Sequence, residues 1–212
     1  MTASVITFAN QYGTDGATVA RTVAEQLQYR FYDWEIIWQA ASEAGVSPEA
    51  MAQESEHAPS FIERILTRLA VAGGDPEESP VPAIGPRMSM LTSEDYRRII
   101  EHVVRELAEQ GECVIVGHAG QAVLRDKPSV LKVLLFGSPE LRAKRLVKWE
   151  QLTPEAALES AKQHDSQRLA FFKRAYKIDW LGAVNYDIAF NTDHLSTDLA
   201  VKAIVETARS IA

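Results

Sequence analysis

The first 18 residues combine an apolar run, a glycine turn and the start of a helix. The run from Val5 to Ala9 is short and apolar, which predicts a buried strand. The turn contains Gly13 and Gly16, and Ala17 to Leu27 then carries apolar residues at helical spacing. A strand that leads through a tight turn into a helix opens a βαβ unit, so we expect a sheet of parallel strands.

The same alternation of short apolar runs and helical patterns continues to the end of the chain. Further strands are predicted at Phe31–Asp33, Glu112–Gly117, Leu131–Phe136 and Asp187–Asn191. Helices are predicted at Ser60–Val71, Thr92–Gln110 and Ser196–Ile211, and after the N-cap patterns Ser138-Pro139-Glu140 and Thr153-Pro154-Glu155. We therefore expect a three-layer α/β fold, with a five-stranded parallel sheet covered by helices on both faces.

Length, charge and cysteine content limit the organisation and the partners. With 212 residues, one domain (1–212) with an inserted subdomain is expected, and the net charge of −7 argues against broad nucleic-acid binding. Cys113 is the single cysteine and lies in a predicted buried strand, which indicates core packing rather than a nucleophile. The chain has no leader pattern and no apolar run of about 18 residues, so we expect a cytoplasmic protein without a membrane segment.

The turn between the first strand and the first helix is a candidate phosphate site. Free backbone N–H groups at a helix start attract anions, and glycines let the backbone close around them. The residues expected to bind the phosphates of a nucleotide are Gly13, Thr14, Asp15, Gly16, Ala17 and Thr18. The Thr18 hydroxyl is the candidate ligand for Mg²⁺. The alternative is a βα turn that only needs glycines in the left-handed conformation.

Several segments, taken in order, resemble the cytidylate kinase-like proteins, which are nucleoside monophosphate kinases of the P-loop superfamily. The segments are Val5–Thr7, Ala24–Leu27, Phe31–Asp33, Ala58–Phe61, Val114–Gly117, Ser138–Arg145, Asp179–Trp180 and Asn185–Asp187. The resemblance implies the strand order 2-3-1-4-5 and the cofactors ATP and Mg²⁺. It also implies a core at 1–45 and 93–212, a helical acceptor-binding insertion at about 46–92 and a lid at about 142–178.

The register of this resemblance identifies departures from the G-x-x-x-x-G-K-[ST] signature. In this register Asn10 occupies the position of the first loop glycine, and Asp15 that of the last. Gly16 occupies the position of the lysine, whereas Thr18 matches a threonine. The relatives that the chain most resembles typically carry Tyr-Gly-Ser-Gly-Gly here, also without the lysine. Since that lysine neutralises charge on the β- and γ-phosphates during transfer, another cation must replace it in an active enzyme.

Three basic residues on one predicted helix are candidate cations. Arg142, Arg145 and Lys148 are spaced three apart, so they lie on adjacent faces of the helix. The resemblance places Arg142 and Arg145 at the start of the lid, where family arginines clamp the transferring phosphoryl group. The alternative is a solvated basic stripe, which we favour for Lys148.

Asp165 and Arg168 lie three residues apart on the long predicted helix of the lid and share one face. The resemblance implies that this pair holds the sugar and base-side groups of a nucleotide, with a role on the phosphates left open for Arg168. The alternative is a local ion pair worth about 0.2–0.5 kcal/mol. A family arginine four residues before the aspartate is replaced by Ala161.

Asp33 and His118 end two predicted strands at the carboxyl edge of the sheet, where open α/β folds bind ligands. The resemblance places Asp33 near the phosphates and the acceptor, in a position to orient Mg²⁺ or the attacking group. Its alternative role is to cap the next helix. His118 replaces a family arginine that helps to bind the acceptor, and Gln39 replaces another. Histidine is shorter and largely neutral at pH 7.

Together these features predict phosphoryl transfer from ATP–Mg²⁺ to a nucleoside monophosphate such as CMP or dCMP. The expected catalytic residues are Arg142, Arg145, Arg168 and Asp33. The expected substrate-binding residues are Asp33, His118, Asp165 and Arg168. The departures from the family pattern favour an alternative, a catalytically impaired regulatory protein that binds a nucleotide or another phospholigand. A third interpretation is a structural homodimer, paired through apolar helices near residues 34–70.

Overall fold

The computed structural model describes residues 3–33, 37, 58–71 and 94–211. Its strands are β1 (Val5–Asn10), β2 (Arg30–Tyr32), β3 (Cys113–Val116), β4 (Val130–Phe136) and β5 (Ile188–Asn191). Its helices are α1 (Gly16–Leu27), α2 (Ala58–Val71), α3 (Glu94–Gln110), α4 (Gly120–Val123), α5 (Pro139–Glu150), α6 (Pro154–Ala175) and α7 (Thr197–Ser210), with a short 3-10 helix at Ala183–Asn185. The departure at Gln39 and most of the expected acceptor-binding insertion and dimer surface lie outside the described residues.

The sheet has the order β2-β3-β1-β4-β5, and each neighbouring pair of strands is parallel. The predicted fold class and strand order are confirmed. Successive side chains of β1 enter opposite layers: Val5 packs with residues of α2 and α3, whereas Ile6 packs with residues of α1 and α7. Since β1 is the central strand, the turn after it opens at the middle of the carboxyl edge.

Helices α5 and α6 pack against each other within the predicted lid. Their shared apolar cluster contains Ala143, Leu146, Ala157 and Ala161. Ala161 is fully buried in that cluster. The position at which a family arginine was expected therefore faces the interior of the helix pair, where a guanidinium group would be buried.

The N-caps of these two helices differ, although both were predicted from the same Ser/Thr-Pro-Glu pattern. The Thr153 hydroxyl accepts a hydrogen bond from Ala156 N–H at 3.2 Å, whereas Ser138 makes no side-chain cap bond.

We expect Thr153→Ala to lower the free energy of unfolding by about 1 kcal/mol. Ser138→Ala is the matched control and is expected to change it by less than about 0.5 kcal/mol. Urea unfolding of both variants measures the difference, and equal losses would contradict it.

Cys113 is fully buried, and its thiol donates to the Leu107 carbonyl at 3.5 Å. Burial raises the pKa of this thiol to about 12, which supports core packing.

Across the described part of the chain, every helix is too short or too polar to cross a membrane.

Candidate active site

The loop between β1 and α1 contains two residues in the left-handed conformation. Gly13 has φ +85°, and a Cβ there would lie 2.9 Å from the Arg142 carbonyl oxygen, so this position requires glycine. Asp15 has φ 62°, the left-handed conformation that aspartate tolerates better than most residues. The Thr14 hydroxyl closes the loop by donating to the Gln11 carbonyl at 2.7 Å. Asp15 thus adopts a backbone conformation that glycine also adopts readily.

Helix α1 begins with backbone donors at the mouth of this loop. Its first backbone hydrogen bond runs from Val19 N–H to the Asp15 carbonyl at 3.2 Å. The N–H groups of Gly16, Ala17 and Thr18 therefore have no acceptor within the helix. They lie at the positive end of the helix dipole, and this combination favours an anion.

Asn10 and Gly16, two departures from the signature, lie against each other. A Cβ on Gly16 would be 2.5 Å from Asn10 Cβ and 2.6 Å from Asn10 Cγ. Carbon atoms do not approach so closely, so the Asn10 side chain leaves no room for a side chain at position 16. The residues at positions 10 and 16 are therefore sterically coupled.

Three predicted arginines converge on the carbonyl oxygens of this loop. Arg142 donates to Tyr12 (2.9 Å), Arg145 to Gly13 (3.2 Å) and Arg168 to Asn10 (2.9 Å). Their exposure differs, because Arg142 is fully buried, Arg145 is partly buried and Arg168 is exposed. The interpretation as a solvated stripe is therefore wrong for Arg142, whereas Lys148 is exposed. The structure brings the lid arginines to the loop, and their catalytic roles remain predictions.

The carboxylate of Asp165 pairs with Arg142, at 2.5 Å from Nη2, rather than with its helix neighbour Arg168. It also accepts a hydrogen bond from Gln11 Nε2 at 2.9 Å. The alternative, a local ion pair between Asp165 and Arg168, is therefore not formed. Asp165 instead pairs with Arg142, which lies 23 residues earlier in the sequence. In this conformation Asp165 faces the loop.

Arg145 and Arg168 are held by further contacts on either side of the loop. Arg145 donates to the Thr192 hydroxyl at 3.1 Å and to the Thr192 carbonyl. The guanidinium carbon of Arg168 lies 5.2 Å from the ring centroid of Trp180, a cation–π contact. Trp180 is itself 1% exposed, so it gives Arg168 a fixed apolar support.

Asp33 and His118 lie together at the ends of β2 and β3. The His118 ring lies beside the backbone of Asp33. The Asp33 carboxylate lies 3.7 Å from Nη2 of Arg21, whose guanidinium group stacks over Phe31 at 4.3 Å. The Asp33 carbonyl also accepts from Ile37 N–H at 3.2 Å, so a role at the start of the next helix stays open beside the functional one.

Burial lowers the pKa of His118 to about 4, and the neighbouring backbone of Asp33 offsets only part of this effect. The ring is therefore neutral at pH 7 in the folded chain. Because the unfolded chain takes up this proton near pH 6.5, stability is expected to fall as the pH drops from 6.5 towards 4. We expect His118 to contribute about 2 kcal/mol to that loss.

Urea unfolding at pH 7 and pH 4.5 tests this expectation. His118→Asn is the matched variant, because asparagine tolerates the left-handed conformation of residue 118 (φ 50°) and does not titrate. The variant is expected to lose less stability than the wild type on acidification. An equal loss in both proteins would show that His118 is not responsible.

Two residues at this site were not singled out from the sequence. Gln11 is 5% exposed and hydrogen-bonds to both Asp165 and Gly137. Thr192 accepts a hydrogen bond from Arg145. A polar side chain between an apolar strand and a glycine was the available signal for Gln11. For Thr192 the sequence offers no signal, because its partners lie far away along the chain.

Comparison with known proteins identifies relatives of the chain. A sequence profile of the cytidylate kinase-like family matches residues 5–194. A cytidylate kinase from Pyrobaculum neutrophilum is 27% identical over 111 residues, which cover 52% of this chain and 60% of that protein. The matched segment thus spans less than two thirds of the relative's length.

Solved structures show the same fold at low identity. An uncharacterized protein from Eubacterium ventriosum has a TM-score of 0.66 at 18% identity, over 97% of this chain and 98% of that one. Shikimate kinase from Bacteroides thetaiotaomicron has a TM-score of 0.53 at 15% identity, over 96% and 97% of the two chains. The chain therefore shares its fold with these proteins, one of which is a kinase.

Proposed function

The chain belongs to the cytidylate kinase-like family, and from this premise we propose that it transfers a phosphoryl group from ATP–Mg²⁺ to a nucleoside monophosphate, with CMP or dCMP as the acceptor. The single observation that supports this most is the loop after β1. The N–H groups of Gly16 to Thr18 have no acceptor within the helix. Beside them, the exposed guanidinium group of Arg168 donates to the Asn10 carbonyl, where the loop begins. A site with these donors suits a polyphosphate.

The residues present fit the donor ATP–Mg²⁺. The N–H groups of α1 would hold phosphate oxygens, and the exposed Thr18 hydroxyl is an oxygen ligand of the kind that Mg²⁺ prefers. Among the described residues no three His, Cys, Asp or Glu side chains form a metal cluster, so the phosphates and water would supply the other ligands. When bound, the ion neutralises charge on the phosphates.

The transfer step needs little from the protein beyond position and charge. An oxygen of the acceptor phosphate attacks the γ-phosphorus, and the bond from that phosphorus to the β-γ bridging oxygen breaks. ADP leaves with the electron pair, and a nucleoside diphosphate is formed. We propose that Arg168 and Arg145 stabilise the charge on the transferred group, while Asp33 and His118 face the acceptor.

A second candidate function is a nucleotide-binding regulatory protein without effective transfer. One observation favours it. The buried guanidinium group of Arg142 already donates to Gly137, Tyr12 and Asp165, so it reaches a phosphate only if those bonds break. Binding of ATP without turnover would support this candidate.

The test is a panel of nucleoside monophosphates with ATP–Mg²⁺, in which both ligand binding and ADP formation are measured. We expect acceptor-dependent ADP formation, highest with CMP or dCMP, and loss of turnover in Arg142→Ala and Arg168→Ala. If the protein shows no binding and no turnover with any nucleotide, both candidates are overturned. Turnover with an acceptor other than CMP or dCMP would retain the reaction and change the substrate.

A further inference from the structure

Gln11 connects three separate parts of the molecule from a buried position in the loop. Its Nε2 donates to the Asp165 carboxylate at 2.9 Å, and its Oε1 accepts from Gly137 N–H at 3.0 Å. Its own backbone N–H donates to the Leu135 carbonyl at 2.9 Å. One side chain thus joins the loop to the end of β4 and to helix α6.

Arg142 makes a second connection through the same carboxylate. It is fully buried, and it lies 2.5 Å from Asp165 through Nη2 and 3.3 Å from it through Nη1. Its remaining bonds go to the Tyr12 and Gly137 carbonyls, both at 2.9 Å. A buried ion pair compensates for its desolvation only when such additional hydrogen bonds are present, and removing one partner leaves an uncompensated charge.

We infer that Gln11, Arg142 and Asp165 form a positioning network that sets the shape of the phosphate loop and serves the donor side of the site. This inference rests on the proposed function. A loop with two glycines is conformationally free, and without the lysine it lacks the side chain that would draw it onto the phosphates. The network holds the loop in its binding shape before the donor arrives. Because Asp165 faces the loop, its loss weakens donor binding rather than acceptor binding.

Two measurements on the full chain test this network. In Asp165→Asn, amide exchange of residues 10–18 is expected to accelerate about tenfold or more. The KM for ATP is expected to rise about tenfold while the KM for CMP changes less than about twofold. Gln11→Met keeps the side-chain length, and it is expected to shift both quantities in the same direction even if Asp165→Asn does not fold.

Glu101→Gln is the matched control. Glu101 has a similarly exposed carboxylate (14% against 16%) and pairs with Arg97 at 2.7 Å on helix α3. We expect it to leave the exchange of residues 10–18 unchanged.

Unchanged loop exchange in Gln11→Met and Asp165→Asn would overturn the network, and so would a raised KM for CMP with an unchanged KM for ATP. If the wild type does not turn over ATP, the proposed function fails. The exchange measurement then still decides whether the network holds the loop.

Discussion

Gly16→Ala is expected to destabilise the folded chain by about 3 kcal/mol, because the new methyl group would lie 2.5 Å from Asn10 Cβ. The contact involves the carbon next to the Asn10 backbone, so a rotamer change cannot relieve it. In the Asn10→Gly background the same substitution is expected to be nearly neutral. Urea unfolding of the wild type, the two single variants and the double variant forms a double-mutant cycle that measures this coupling.

Additive losses in the cycle would contradict the coupling of the two positions. The same cycle has a functional counterpart. Asn10→Gly/Gly16→Lys restores both signature residues, and under the proposed function it is expected to raise kcat about tenfold or more. Asn10→Gly/Gly16→Met, which has similar side-chain bulk and no charge, is the control and is expected to give no such gain.

Arg168→Ala is expected to lower kcat for transfer from ATP–Mg²⁺ to CMP by about a thousandfold. Arg168 is exposed at the mouth of the loop and is fixed by the Asn10 carbonyl and the Trp180 ring, so its charge is available to a phosphate. Steady-state kinetics at saturating ATP and CMP measures the effect. Arg168→Lys keeps the charge and is expected to retain part of the rate.

Arg174→Ala is the matched control, because Arg174 is also exposed on helix α6, six residues further along. It is expected to keep kcat within about twofold of the wild type. A wild-type kcat in Arg168→Ala would remove this residue from the catalytic machinery.

The architecture follows from local pattern, since buried strands and amphipathic helices carry their signals within a few residues. The five strands lie within one residue of their predicted bounds, and the resemblance gave their order. The short helix α4 was missed because four residues carry too little periodicity. The left-handed conformation of Asp15 is one that aspartate tolerates better than most residues, whereas the register of the loop stays a prediction.

The side-chain partners at the site could not be predicted in the same way. Spacing suggested that Asp165 pairs with Arg168, but its partner is Arg142, and only the packing of α5 on α6 brings them together. The burial of Arg142 likewise depends on the loop that covers it. Contacts between distant segments are set by tertiary structure, so neither residue spacing nor composition reports them.

The central claim is that this loop supports phosphoryl transfer without the lysine. Single-turnover transfer from γ-³²P-labelled ATP, with Mg²⁺, CMP and the protein in excess over ATP, tests it most directly, because it detects even slow chemistry. We predict that the label moves from ATP to CDP and that Arg168→Ala slows this transfer. Label that stays in ATP, while the same protein binds ATP, would contradict the claim and identify a nucleotide-binding protein without transfer activity.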